Sequence, residues 1–195
     1  SAGLWFAYPN DRWDCAALIG TTEGGFKPEL GFLNRTNYEL AEAEVNFQPR
    51  WFQKLGVRKM LFNLAEVSMY RTAHTGNVES FSFSTSPLGV LLGKGDEAGL
   101  WFAWFEDGVA EAFDISDDIS IAAGRYSYRE TGFYVSTFRG RRLQMEWNGS
   151  WGTFFGGKKT TYNTSITGNF NKHFNVQLDH TWNALEFPAN DLRNK

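Results

Sequence analysis

Leu143-Gln144-Met145-Glu146-Trp147-Asn148-Gly149-Ser150-Trp151 alternates residue by residue between a bulky apolar or glycine set and a polar set. After Phe155-Gly156-Gly157-Lys158-Lys159, which has the composition of a turn, the period resumes: Tyr162, Thr164, Ile166, Gly168 and Phe170 lie on one face. Thr161, Asn163, Ser165, Thr167 and Asn169 lie on the other. A short Asn171-Lys172 turn leads to Phe174, Val176, Leu178, His180, Trp182 and Ala184, set against Asn175, Gln177, Asp179, Thr181 and Asn183. A period of two marks a β-strand, and the i, i+3, i+4, i+7 spacing of an amphipathic helix fits none of the three segments. Each segment runs for about 9 to 11 residues, the length a tilted strand needs to cross a bilayer.

Earlier segments are less regular but still strand-like: 3–8, 13–20, 36–48, 57–71, 78–85, 99–113 and 124–138. In the third of these, Ala41, Ala43, Val45 and Phe47 oppose Glu42, Glu44, Asn46 and Gln48. Gly-Leu-Trp-Phe-Ala occurs at 3–7 and again at 99–103, but the flanking residues do not follow, so it reads as two similar strands. Nothing marks a linker, and residues 1–195 read as one β region.

The composition agrees. Aromatic residues make up 17% of the chain, with 18 Phe, 8 Trp and 7 Tyr, and glycine is frequent where proline is scarce. That is the profile of many strands joined by turns. The mean hydropathy of −0.40 is hydrophilic, and no run approaches the roughly 18 apolar residues of a membrane helix. A barrel strand needs no such run, because only alternate residues meet lipid. Ser1 to Ala7 lacks a basic stretch ahead of a long apolar core and does not read as a secretion signal. The polar faces are dominated by Asn, Gln, Thr and Ser, which suits a wet lumen. The aromatics gather towards strand ends, as an interfacial girdle does. The expected fold is therefore all-β, an antiparallel up-and-down β-barrel of the transmembrane type or a segment of one. The alternative is a soluble β-sandwich, whose strands also alternate, with exposed Trp and Tyr stacking sugars.

With 19 basic against 22 acidic residues and a net charge of −3, the chain has no overall field for a nucleic-acid partner. The single Cys15 makes no internal disulfide, and no Cys/His set has metal-ligand spacing. No metal or cofactor is expected. Catalysis is not expected either. Carboxylate pairs such as Glu42 and Glu44, Glu106 and Asp107, or Asp117 and Asp118 are unspecific for glycosidase chemistry, and no Gly-x-Ser-x-Gly elbow occurs. Glu42 and Glu44 read as lumen lining, the stretch 114–118 as a solvated turn, and His180 as an interfacial residue. Arg139, Arg141 and Arg142 cluster at a strand start, as a turn-flanking charge group or as partners for lipopolysaccharide phosphates or lumenal acids.

One stretch is more specific. Tyr8-Pro9-Asn10-Asp11-Arg12-Trp13, followed by Glu23-Gly24-Gly25-Phe26-Lys27-Pro28-Glu29-Leu30-Gly31-Phe32-Leu33-Asn34-Arg35-Thr36-Asn37-Tyr38, resembles a family of large envelope proteins of Gram-negative bacteria. In that family a module similar to carbohydrate-binding family 9 precedes a C-terminal region that looks like an outer-membrane barrel. Lys27 departs from the pattern, which has Asn there. The resemblance implies a membrane anchor or pore in the outer membrane. It also implies lipid as a partner, a glycan connection, and further strands in the remainder of a parent protein. No catalytic residue is established for the family, and none is carried over. Physically, Pro9-Asn10-Asp11 is a turn signal, and 23–32 reads as a folded loop anchored by Phe26 and Phe32. Phe26, Phe32 and Arg35, with Arg141 and Arg142, are the candidate ligand contacts. The first strand, 3–8, and the last, 174–185, are expected not to pair with each other.

Overall fold

The computed structural model describes residues 1–22, 37–73, 75–116, 119–171 and 173–187. Thirteen strands follow in order: β1 Ala2–Tyr8, β2 Trp13–Thr22, β3 Tyr38–Phe47, β4 Val57–Met60, β5 Phe62–Thr72, β6 Val78–Leu92, β7 Glu97–Val109, β8 Phe113–Ser116, β9 Ile119–Ile121, β10 Gly124–Ser136, β11 Leu143–Phe154, β12 Gly157–Asn171 and β13 Phe174–Glu186. A 3-10 turn at Gln53–Leu55 precedes β4. Eleven strands form one sheet in the order β1-β2-β3-β5-β6-β7-β10-β11-β12-β13, with β4 pairing β6 beside that path, while β8 and β9 form a separate hairpin. Every pairing is antiparallel, and neighbours in space are neighbours in sequence apart from the β4 and β8–β9 excursions. This is the antiparallel up-and-down order the alternation implied. Among the described residues no ladder joins β1 to β13, and no closed barrel forms.

Three details differ from the sequence reading. The segment 57–71 is two strands: β4 pairs with the end of β6, β5 pairs with its beginning, and Leu61 between them donates its N–H to the Gly89 carbonyl at 2.8 Å. The strand at 78–85 continues to Leu92 because a bulge between Thr85 and Leu88 absorbs Pro87, whose missing N–H a regular ladder could not use. Asp114, read as part of a turn, lies in β8.

The turns follow local chemistry. Asn10 Oδ1 accepts the Arg12 N–H at 3.0 Å, closing the Pro9-Asn10-Asp11 turn. The β11–β12 connection is the dipeptide Phe155-Gly156, with φ 44° and 84°. Two left-handed central residues are what a type I′ hairpin requires, and their twist matches the flanking strands.

Burial is sparse. Among the described residues the buried apolar side chains are Met60, Ala73, Ala103 and Ile121, and no large side chain is fully enclosed. Close packing occurs instead within the sheet, where aromatic rings lie over cross-strand glycines. A Cβ on Gly132 would meet the Trp101 ring and the Gly149 carbonyl at 2.5 Å, and one on Gly99 would meet Tyr134 at 2.5 Å. The rings fill space the glycines leave and cover their backbone. Gly132→Val should therefore lower stability by about 1–3 kcal/mol through overpacking. Gly124→Val in the same strand, where the nearest atom stands 3.8 Å from the new Cβ, should be tolerated. Denaturant unfolding of the two variants checks the difference.

Candidate functional site: the two faces of the sheet

Directly paired residues of antiparallel strands share a face, so the register assigns every side chain of the sheet to one side. One row reads Phe6, Ala17, Ala43, Val67, Phe83, Trp104 across β1, β2, β3, β5, β6 and β7. On the same face another row reads Leu100, Phe133, Gly149, Tyr162, Trp182 across β7 and β10 to β13. The opposite face carries Ala16, Glu44, Glu66, Ser84, Ala103 and Glu130 in one row, and Glu146, Ser165 and Asp179 in another. The sorting is clear in β2, β3, β5, β6 and β11 to β13. In β7 and β10 it breaks down, where Arg129 pairs with Trp104 on the apolar face and Trp101, Phe105 and Tyr128 lie on the polar one, and β1 carries no polar side chain on that side. Among the described residues nothing covers the apolar face: Leu4 is 74% exposed, Ile19 65%, Leu143 65% and Leu178 63%.

The polar face is hydrogen-bonded across strands. Asn46 donates to Glu44 Oε1 at 2.6 Å, and Asn63 donates to Asn46 Oδ1 at 3.1 Å. The Ser68 hydroxyl donates to Glu42 at 3.3 Å, and Ser84 to Glu66 at 3.0 Å. Further along, Ser150 donates to Glu130 at 2.5 Å, and Lys159 stands 3.7 Å from the same carboxylate. Trp5 and Leu18 border Glu42, Glu44 and Glu66 around a depression of about 210 Å³. Glu44 and Glu66 are directly paired, an arrangement of like charges that costs free energy unless donors and water surround it.

The polar face also carries an aromatic group near the β7–β10 connection. Phe105 stacks on Tyr128 with ring centres 5.1 Å apart, and Phe154 and Phe155 stand 5.7 and 5.5 Å from Tyr128. The Tyr128 hydroxyl donates to Asp107 at 2.5 Å. Phe113 of the β8–β9 hairpin meets Phe155 at 5.8 Å, which ties the hairpin to this end of the sheet.

The sequence-predicted residues fall as follows. Glu42 and Glu44 are on the polar face and point the same way, while His180 is exposed on the apolar face beside Thr164. Arg141 and Arg142 lie in the β10–β11 connection, 137–142, and not together: Arg141 is ion-paired to Asp96 at 2.5 Å, whereas Arg142 is exposed. Phe26, Phe32 and Arg35 lie outside the described residues. Sequence reasoning did not single out Glu66, Glu130, Lys159 or Tyr128. The run Ser80, Ser82, Ser84 carries the signal for the first of these, since it matches the alternation of Glu66, Ser68 and Tyr70. Among the described residues no group of His, Cys, Asp and Glu has the arrangement of a metal site. The chain matches no known protein family, no curated protein and no solved structure.

Asp96 and Arg141 form an ion pair between two connections. The Phe138 N–H donates to Asp96 Oδ1 at 2.9 Å, and this bond, with Arg141 beside it, holds the Asp96 carboxyl below the usual carboxylate range against a smaller opposing effect of desolvation. A depressed pKa contributes stability above the ordinary carboxylate pKa and loses it as pH falls through the folded value. The joint between 93–96 and 137–142 should thus persist as pH drops through the usual carboxylate range and open only below it. In Asp96→Asn the acid-dependent step should vanish, with protease cleavage within 137–142 against pH as the readout.

Proposed function

We propose that this sheet is the wall of an outer-membrane β-barrel, its apolar face against lipid and its polar face against water, acting as the membrane anchor or pore of an envelope protein. The observation that carries the proposal is the sorting of apolar and polar side chains onto opposite faces along most of a single ten-strand, up-and-down path, with large apolar side chains exposed and no second layer over them among the described residues. In water such a face is a large aggregation liability, and in hydrocarbon it is solvated. Strands β2, β3, β5, β6, β7 and β10 to β13 are 10 to 15 residues long, enough to span the bilayer core at a tilt. A sugar-binding sandwich would need a second sheet on the apolar side. Among the described residues the other sheet is the two-stranded β8–β9 hairpin.

Trp13, Phe47, Phe62 and Trp51 form a connected group at one end of β2, β3 and β5, with ring centres 4.4 to 6.2 Å apart. This group has the composition and place of an interfacial girdle. In the bilayer the outer edges of β1 and β13 require backbone partners, from each other or from strands of the remainder of a parent protein. The Gram-negative envelope setting and the glycan connection rest on the resemblance of 8–13 and 23–38 alone.

Trp147→Arg and Leu178→Arg, on the apolar face, should each cost about 2–4 kcal/mol near the bilayer midplane, while Asn148→Arg and Gln177→Arg should be mild. Unfolding from lipid vesicles measures this, and equal losses on both faces would overturn the assignment. As a pore the wall should favour cations, because Glu42, Glu44 and Glu66 share its wet side. Replacing all three by Gln should reduce the cation preference in planar-bilayer reversal potentials.

A further inference from the structure

The connections of the sheet divide between two ends, and their charge divides with them. The end that holds the β1–β2 turn also holds 48–61, 93–96 and 137–142. Residues 48–61 carry Arg50, Lys54, Arg58 and Lys59 without one Asp or Glu. To these the same end adds Arg12, Lys94, and the trio Arg139, Arg141 and Arg142. Its connections contain two acids, Asp11 and Asp96, engaged by Arg50 at 2.6 Å and Arg141 at 2.5 Å. At the opposite end the β7–β10 connection, 110–123, contains Glu111, Asp114, Asp117 and Asp118 and no Lys or Arg. A chain of net charge −3 therefore presents one strongly basic end.

Apolar groups stand beside these cations. Trp51 packs on Phe47 and Phe62 at the border of the apolar face, and the next residues project away: Phe52 is 57% exposed and Leu55 79%. Phe52 adopts φ 59°, a left-handed backbone that a bulky residue takes only at a cost. Lys54 and Arg58 follow on either side of Leu55, exposed and with no ion-pair partner among the described residues. Aromatic and aliphatic groups at the rim of a lipid-facing surface, backed by unpaired cations, match the boundary layer where acyl chains meet anionic headgroups.

We infer that this end of the sheet docks on the phosphate headgroups of an anionic lipid leaflet, with Phe52 and Leu55 entering the interface and Lys54 and Arg58 pairing with lipid phosphates. The inference rests on the membrane reading above and adds to it the orientation of the wall and the lipid chemistry at one rim.

The test uses the full chain refolded into phosphatidylcholine vesicles with and without phosphatidylglycerol, reading insertion by protease protection and affinity by vesicle partition. Anionic lipid should strengthen partition, and added salt should remove the gain. Lys54→Gln/Arg58→Gln should lose about 25-fold of that gain, at about fivefold per cation. Arg129→Gln/Lys158→Gln, an equal charge change at the opposite end, should lose little. Phe52→Gly suits the left-handed backbone and should keep the sheet intact while weakening partition about tenfold. Insertion into neutral vesicles with no salt-sensitive gain from anionic lipid, or equal losses in the two double variants, would overturn the inference and leave the membrane wall standing. Failure to insert into either vesicle would overturn both. Equally tight, Lys54- and Arg58-dependent binding of single-stranded DNA would replace the lipid with a nucleic acid and overturn the inference.

Discussion

Side-chain direction in a strand alternates strictly, so the backbone ladder is also a sorting device. Once β2 and β3 pair as Ala17 with Ala43, the face of every residue in both strands is fixed, and each later strand inherits the assignment. A slip of one residue anywhere would send the apolar set of all strands beyond it to the polar face. The bulges are where this constraint is visible. Between the pairs Val45–Ala65 and Asn46–Asn63 one extra residue, Leu64, is absorbed on β5. Without it Phe62 would fall on the polar face. With it, Phe62 joins Phe47 and Asn63 joins the Glu44–Asn46 network. The bulge at Pro87 does the same for β6: it places Leu88 and Val90 opposite Leu100 and Ala98, and Gly89 opposite Gly99.

The same devices decide what could be read in the sequence. From Leu143 onward the alternation is unbroken, and β11, β12 and β13 lie within a few residues of the segments it marks. The ladder of β12 and β13 shifts only at Asn169/Asn171, beside their turn. In the middle of the chain Leu64 and Pro87 interrupt the period, so 57–71 reads as one strand and β6 reads as half its length. The β8–β9 hairpin was illegible because its four- and three-residue strands are too short to show a period. Which residues face each other is a property of register, which local pattern does not carry. Glu42 and Glu44 were assignable to a face from β3 alone, whereas the partnership of Glu44 with Glu66 required the bulge.

Charge shows the limit of composition in another way. A near balance of acids and bases reads as the absence of a field, and for the whole chain it is. Topology then carries Arg12, Arg58, Lys94 and Arg142, distant in sequence, to one end, because every second connection of an up-and-down sheet returns there. Arg141 looked equivalent to Arg142 in sequence. Hydrogen bonding separates them: one closes a joint to Asp96, and the other is exposed.

The polar face itself bears on what surrounds it. Glu44 and Glu66 sit directly opposite one another on adjacent strands, and Glu42 lies two residues from the first on the same side. Their nearest donors are neutral: Asn46, Asn63, Ser68 and Ser84. Neutral donors lower the energy of a carboxylate but do not cancel its charge. Packed beneath a second layer of protein, three such groups would face a desolvation cost of several kcal/mol each. Against water the cost falls, because a high dielectric screens the repulsion to about 1 kcal/mol per pair at 4 Å. The carboxylates therefore favour water over protein on the side they occupy. The exposed Leu4, Ile19, Leu143 and Leu178 on the other side favour a medium without water. These opposite demands on the two faces of a single sheet are what the proposed wall between a lumen and a bilayer would meet.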